Sequence, residues 1–327
     1  MADFQTDLDL MTSIAKISDW RLHVDEVGKS IIYPEETRLP TRLPQDHYEF
    51  AEALAQVVKE KHQEALAERM AGDNFEYSFL IEDFYRLRYR VQPMDSGMYS
   101  LRTLAQRIRP FSDLSCPAFL QNFLLNQNLS QGGFILASGV TGSGKSSTIA
   151  SITAERLKRF GGEMITVEDP PEFPLEGFHG ESGYCNQLRV RRGNYEERLS
   201  EALRCFSSQA PQSILLYGEV RREAEAKELL RIAVDGHLVF STIHAANPIA
   251  ALKRLFSLAC GAMSEHEARS LLGESLKMVL HQRFQNRMLT FNPLEGTEKV
   301  AAHLRAGQFD NLNNELELQT RSRNQMR

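Results

Sequence analysis

Gly139-Val140-Thr141-Gly142-Ser143-Gly144-Lys145-Ser146 decides how this chain is read. The eight residues fill every fixed position of the phosphate-binding pattern G-x-x-x-x-G-K-[ST]. Phe134-Ile135-Leu136-Ala137 precedes them as an apolar strand, and Ser147-Thr148-Ile149-Ala150-Ser151-Ile152 follows as a helix start. Strand, loop and helix in that order are the context the pattern needs. A chance glycine loop ahead of an ordinary helix is the bland alternative, and it explains neither the lysine nor the flanking strand. Glycines let backbone N–H groups turn inward around phosphate oxygens, and the helix dipole favours the same anion. Lys145 is expected to reach the β- and γ-phosphates, and the Ser146 hydroxyl to ligate Mg²⁺. Gly139, Thr141, Gly142, Ser143, Gly144 and Ser147 complete the expected cradle. The segment predicts a nucleoside triphosphate site.

Composition bounds what surrounds that site. The chain has 327 residues, room for two domains of about 100–200 residues each. With 42% hydrophobic and 25% charged residues it has material for a sizeable core. A net charge of −5 gives no global electrostatic reason to expect nucleic acid. Cys116, Cys185, Cys205 and Cys260 are widely spaced with no C-x-x-C pair, which argues against a zinc site or a disulfide framework. The opening residues MADFQTDLDLM are acidic and lack a basic-then-apolar leader. No stretch approaches the roughly 20 apolar residues that span a bilayer. The expectation is a soluble cytoplasmic protein that reaches a membrane only by docking on other components.

Patterning divides the chain at residues 109–113. Before it, residues 1–108 predict a small α+β domain. Its strands are expected at 19–24, 29–33, 75–81, 85–91 and 99–104, with a helix over 46–70 and a proline-rich loop over 34–44. Beyond the expected hinge, residues 114–327 alternate short apolar runs with helical segments. The strands are 134–138, 164–168, 214–217 and 238–242; the helices are 147–160, 195–207, 222–234, 248–259 and 264–284, with a polar helical tail after Ala301. Uninterrupted apolar strands separated by helices imply a parallel sheet covered on both faces.

Three later segments narrow the chemistry. Ile165-Thr166-Val167-Glu168-Asp169-Pro170 sets carboxylates at a strand's C-terminal end, where open α/β sheets place their sites. Ile214-Leu215-Leu216-Tyr217-Gly218-Glu219-Val220-Arg221 is a buried strand ending in an acid, the form of a Walker B element. Gly236-His237-Leu238-Val239-Phe240-Ser241-Thr242-Ile243-His244 brackets another strand with histidines, whose spacing makes no credible metal pair. Each has an ordinary reading as cap, turn or structural histidine. Together, on successive strand ends after a complete phosphate loop, they do not.

These residues resemble the secretion ATPases of type II and type IV secretion and type IV pili, especially their PilT-like and DotB-like branches. GVTGSGKSST is similar to that family's Walker A, ITVEDPPEF to its Asp box, ILLYGEVR to its Walker B and GHLVFSTIHAANPIAALKRL to its His box, in the family's order. Ser18-Asp19-Trp20-Arg21-Leu22-His23 resembles the first strand of its PAS-like N-terminal domain, and Arg86-Leu87-Arg88-Tyr89-Arg90-Val91 with Arg102 its arginine strands. The resemblance implies an α/β fold, a RecA-like P-loop NTPase domain preceded by a smaller α+β PAS-like domain. It further implies ATP and Mg²⁺, a homohexameric ring, and inner-membrane platform or secretion-channel partners without direct nucleic-acid contact. Glu219 would orient or deprotonate the attacking water, with Glu168 as runner-up and Mg²⁺ held by Ser146 and Glu219. His244 would sense the γ-phosphate or brace the interface, His237 less directly, and Arg86, Arg88 and Arg102 would close on the nucleotide.

The chain departs from the family pattern at two places. Arg222 stands where an acid commonly closes the Walker B segment, and Gln209-Ala210-Pro211-Gln212-Ser213 stands where Asp-Pro-Asp is usual. Both put the hydrolysis rate in question, and a non-catalytic ring adaptor is one alternative. A P-loop kinase with Arg189, Arg191 and Arg192 as a lid is a second, though it leaves the His box without a role. The tail lacks a clear retraction motif and the chain lacks the cysteine-rich zinc element of assembly ATPases.

Overall fold

The computed structural model describes residues 8–67, 78–95, 97–190, 195–285 and 288–325. The chain divides into two units, Met1–Arg107 with Glu172–Pro174, and Ile108–Pro171 with Leu175–Arg327.

In the first unit every second residue of the central strands is apolar, and that period builds a sheet with one dry face. Helix α1 (Leu8–Ala15) leads into β1 (Ile17–His23), β2 (Ile31–Pro34) and β3 (Thr41–Arg42). Helix α2 (Tyr48–Ala67) then precedes β4 (Phe79–Phe84), β5 (Leu87–Pro93) and β6 (Met98–Leu104). The strands pair antiparallel in the order β3-β2-β1-β6-β5-β4. Phe50, Leu54 and Val58 recur at four-residue spacing on α2 and enter one core with Trp20, Tyr89 and Leu101 of the sheet. The opposite face is polar. There Asp19 faces Arg102 in register, Arg102 faces Arg90, and Arg21 faces Ser100. Two expectations change here. Arg86 is not on β5: Tyr85 and Arg86 form the hairpin turn with φ of 51° and 65°, as a two-residue turn between right-twisted strands requires. The proline-rich loop also contains the short β3. Residues 68–70 of the expected helix and 75–77 of the expected strand lie outside the described residues.

The second unit is a sheet of strands buried on both faces. Helix α3 (Ala118–Leu124) precedes β7 (Gly133–Gly139), in which all seven residues are buried. Then follow α4 (Lys145–Phe160), β8 (Gly162–Glu168), β9 (Gly177–His179), β10 (Gly183–Arg189) and α5 (Tyr195–Cys205). β11 (Ser213–Tyr217), α6 (Glu223–Val234), β12 (Leu238–His244), α7 (Pro248–Cys260) and α8 (Glu265–Ser275) continue the alternation. β13 (Leu276–Gln285), β14 (Met288–Glu295), α9 (Glu298–Arg305) and α10 (Leu312–Gln325) complete it. The sheet order is β14-β13-β7-β12-β11-β8-β10-β9, parallel from β13 to β10 and antiparallel at both margins.

The expected helix over 264–284 is half helix and half strand. Ser264 caps α8 by accepting from Glu267 N, but Met278 to Gln282 are all buried between β7 and β14. A short apolar run has no period that separates a buried strand from a buried helix. The same ambiguity hid β14. β9 and β10 are short or polar enough to escape the apolar-run criterion, and the tail holds two helices rather than one. Phe111 and Leu114, within the expected hinge or beside it, are buried in this unit, and Ser151 Oγ donates to Arg109 O at 2.6 Å.

Candidate functional site

Parallel pairing sets the C-terminal ends of β7, β12, β11 and β8 side by side, so residues far apart in sequence meet along one edge. β7 ends at Gly139, with φ of +154°, and the loop turns through Gly142 (+75°) to Gly144 (+82°), the left-handed N-cap of α4. Glycine is required at Gly139, since a Cβ there would lie 2.4 Å from Gln282 O and 2.6 Å from Ser143 Oγ. Lys145 opens α4 and is 7% exposed. Its Nζ donates to Gly139 O and Val140 O, both at 3.1 Å, and approaches His244 Nδ1 at 3.3 Å. Ser146 and Ser147 are partly exposed in the first turn, and Thr141 is exposed on the loop. Ser143 is buried, and its Oγ has no hydrogen-bond partner among the described residues.

Glu219 follows β11 by two residues. Its Oε1 lies 3.3 Å from His244 Nε2, and its Oε2 accepts from Arg221 Nη2 at 2.7 Å and Nε at 2.9 Å. Lys145, His244, Glu219 and Arg221 therefore form one polar chain. An ammonium only donates, so His244 Nδ1 is the acceptor and the ring proton sits on Nε2, facing the carboxylate. The turn carrying Glu219 is pinned from both sides: Gly218 N donates to Val167 O at 3.1 Å, Thr242 Oγ1 to Gly218 O at 2.7 Å, and Val220 N to Thr242 O at 3.0 Å. Glu168, 6% exposed at the end of β8, accepts from Gln187 Nε2 at 3.3 Å. Its Cγ would stand 3.6 Å from a Cβ on Gly218, so the two candidate carboxylates flank one short stretch of backbone.

These residues fit a Mg²⁺–nucleoside triphosphate. The loop is turned by left-handed glycines, its lysine ammonium points among the loop carbonyls, and a buried serine hydroxyl inside it has no partner among the described residues. Ser146, Glu219 and Glu168 supply oxygen donors of the kind Mg²⁺ takes alongside phosphate.

Not every expected residue belongs to this edge. His237 precedes β12 at the opposite end of a seven-residue strand, roughly 20 Å from His244 by strand rise. Its ring packs against Phe206 in a tilted arrangement, with ring centroids 4.8 Å apart. His237 therefore stands a strand's length from the end of β12 that carries His244. Arg88, on β5, has Nη1 3.4 Å from Ala105 O, and Arg102 pairs with Asp19, Nε to Oδ1 at 3.0 Å; both belong to the first unit, as does Arg86. Arg189 ends β10, while Arg191 and Arg192 lie outside the described residues. Of the departures from the family pattern, Gln212 falls at the far end of β11 and Arg222 directly follows the Glu219 turn. Gln212 stands just ahead of β11, where its Oε1 accepts from buried Arg156 Nη2 at 3.1 Å. Arg222 caps α6: Glu225 Oε2 accepts from its backbone N at 3.0 Å and its guanidinium lies over Tyr195. Residues missed from sequence are Arg254, which donates to His244 O at 3.0 Å, and Gln282, whose Nε2 donates to Ser143 O at 2.7 Å. Gln282 was hidden in the expected helix. Only the Val279-Leu280 pair in its short apolar run hinted at strand.

A family model described as type II/IV secretion system protein matches residues 9–311. The chain is 27% identical over 261 residues to the type IV pilus retraction ATPase PilT of Pseudomonas aeruginosa, covering 80% of this chain and 70% of that one. It is 29% identical over 218 residues to the uncharacterized protein YggR of Escherichia coli, covering 65% and 64%. It spans only 58% of the twitching motility protein of Neisseria gonorrhoeae and 53% of the P. aeruginosa pilus ATPase PilU. Among solved structures, the pilus retraction motor PilT with bound ADP superposes with a TM-score of 0.71 at 24% identity, over 97% of this chain and 90% of that one. The Legionella pneumophila ATPase DotB gives 0.69 at 19%, over 97% and 88%. Those likenesses establish the mixed α/β fold. With a model that matches nearly the whole chain and a complete phosphate loop facing two strand-end carboxylates, the chain belongs to the type II/IV secretion system protein family.

Proposed function

We propose that this chain is an ATP-hydrolysing motor subunit of a type IV pilus, a type IV secretion or conjugation machine, or a type II secretion machine. The observation that carries the reading is the chain Lys145–His244–Glu219, which joins the phosphate loop to the strand-end carboxylate through one histidine. Bound ATP supplies the phosphoryl group, and Mg²⁺ spreads its developing charge. Lys145 and the loop N–H groups compensate charge on the transferred group, as preorganised donors do best. Glu219 takes the proton of the attacking water, with Glu168 as the second candidate beside it. His244 holds the Glu219 carboxylate through Nε2 and touches the lysine through Nδ1, so it is placed to register an occupied loop.

In this reading the second unit is a RecA-like P-loop domain and the first a PAS-like module whose Arg88 and Arg102 close on the nucleotide. Residues 109–113 act as the hinge between them, and six copies form a homohexameric ring. The chain passes from one unit to the other at Arg107 and Ile108, immediately ahead of those residues. The ring docks on inner-membrane platform or secretion-channel proteins from the cytoplasmic side. Among the described residues no helix is long and apolar enough to cross a membrane.

Phosphate release from Mg²⁺–ATP by the purified chain tests the reading, with particle mass measured in parallel. Turnover that falls in Arg88→Ala or Arg102→Ala, with ATP affinity retained, supports the closing arginines. ATP binding with no phosphate release from the wild type would transfer the protein to the adaptor class.

A further inference from the structure

β13 outruns its neighbour β7. Their pairing ends with His281 opposite Ser138, yet β13 continues to Gln285. The last residues of β13 therefore stand beside the phosphate loop on the side where β7 has already turned away. Side chains alternate along a strand, so Gln282 and Phe284 share a face while His281 and Arg283 take the other. His281 accordingly meets Ser138, with Nδ1 3.0 Å from Oγ. On the opposite face Gln282 is fully buried and braces the loop at Ser143 O. Two residues on, the Phe284 ring comes against the loop's last glycine: its Cε2 and Cζ would lie 3.7 Å from a Cβ on Gly144.

Phe284 is nonetheless 49% exposed. A single exposed phenylalanine is ordinary on a protein surface. This one is not arbitrarily placed, because Gly144 is the N-cap of α4, where the phosphates of a nucleotide are drawn. A ring that stands one side-chain carbon away from that position, 3.7 Å from where a Cβ on Gly144 would lie, is within reach of the nucleoside that a phosphate chain carries. Its open face suits stacking, and it brings no hydrogen-bonding group of its own.

From this juxtaposition we infer that Phe284 is the platform for the nucleoside moiety of the bound triphosphate, and Gln282 the brace that sets loop and platform in one geometry. The inference rests on the phosphate-loop reading above and adds the part of the ligand that reading leaves without a partner. It also carries a specificity statement. A bare π-face holds any base, so Phe284 raises affinity for a nucleoside without choosing between adenine and guanine.

The experiment measures dissociation constants by calorimetry, with Mg²⁺, for ATP, GTP and inorganic tripolyphosphate, which has neither sugar nor base. Proteins are the full-length wild type, Phe284→Ala, Phe284→Trp and Lys145→Ala, each checked for native circular dichroism. Phe284→Ala is expected to weaken ATP and GTP alike by about 10-fold, the scale of one lost base stack, and to leave tripolyphosphate unchanged. Phe284→Trp is expected to restore both nucleotides. Unchanged ATP affinity in Phe284→Ala, or an equal loss for ATP and tripolyphosphate, overturns the platform while Lys145→Ala still reports on the loop. A wild type that binds neither ATP nor tripolyphosphate overturns the phosphate-loop reading itself.

Discussion

The two edges of the eight-stranded sheet are built from the same strands and do opposite work. At the C-terminal edge, β7, β8, β11 and β12 deliver Gly139, Glu168, Glu219 and His244, and α4 begins with its N-terminus facing the loop. At the N-terminal edge helices end instead. There Arg156, fully buried, donates to Leu124 O at 2.8 Å and Asn126 O at 2.9 Å near the end of α3, and to Gln212 Oε1 and Ser130 Oγ at 3.1 Å. Helix N-termini attract anions and helix C-termini attract cations. One edge is thus prepared for phosphate, while the other holds a guanidinium on neutral acceptors. Burial brings Arg156 down to about 10, still well inside its charged range at neutral pH. The lesson is that a polar residue's distance from the chemistry follows from which end of its strand it occupies.

Variants on the two edges should therefore separate turnover from stability. The largest effect is expected for Lys145→Ala, with phosphate release falling on the order of 100- to 1000-fold and the thermal midpoint held near wild type. A wild-type rate in protein free of contaminating ATPase would break the assignment of the edge. Glu219→Gln should follow with a loss on the order of 100-fold and ATP affinity retained, since the amide keeps the shape but accepts no proton. Running Glu168→Gln beside it sharpens the comparison, because a deeper loss there moves the base from β11 to β8.

The opposite edge should answer in stability. Gln212→Ala removes a partner from buried Arg156 and is expected to cost about 1–3 kcal/mol, read from denaturant unfolding, with kcat within a few fold of wild type. A selective collapse of turnover in a stably folded Gln212→Ala protein would erase the distinction between the edges. The smallest effect concerns His237. Burial lowers its pKa, and Asp235 opposes that only in part. The unfolded chain then binds the proton more readily than the folded one. Its contribution to stability is present above the unfolded value of about 6.5 and is lost as the pH falls below it. His237→Gln should flatten the fall of Tm between about pH 7 and pH 5 without altering turnover at neutral pH. An unchanged slope would mean that the ring titrates alike in both states.

Local pattern alone carried the phosphate loop, the four apolar strands β7, β8, β11 and β12, and the carboxylates that end two of them. These features are legible because each is contiguous: glycine spacing, apolar runs and a terminal acid all fit within about ten residues. Only the tertiary structure decided that His244 joins Lys145 to Glu219 while His237 stands a strand's length away, and that Gln212 and Arg222 serve buried packing and a helix start. It alone turned the second half of an apparent helix into β13, bringing Gln282 and Phe284 to the loop. The physical reason is that sequence periodicity reports which faces are buried, whereas strand order decides which buried faces and which strand ends become neighbours.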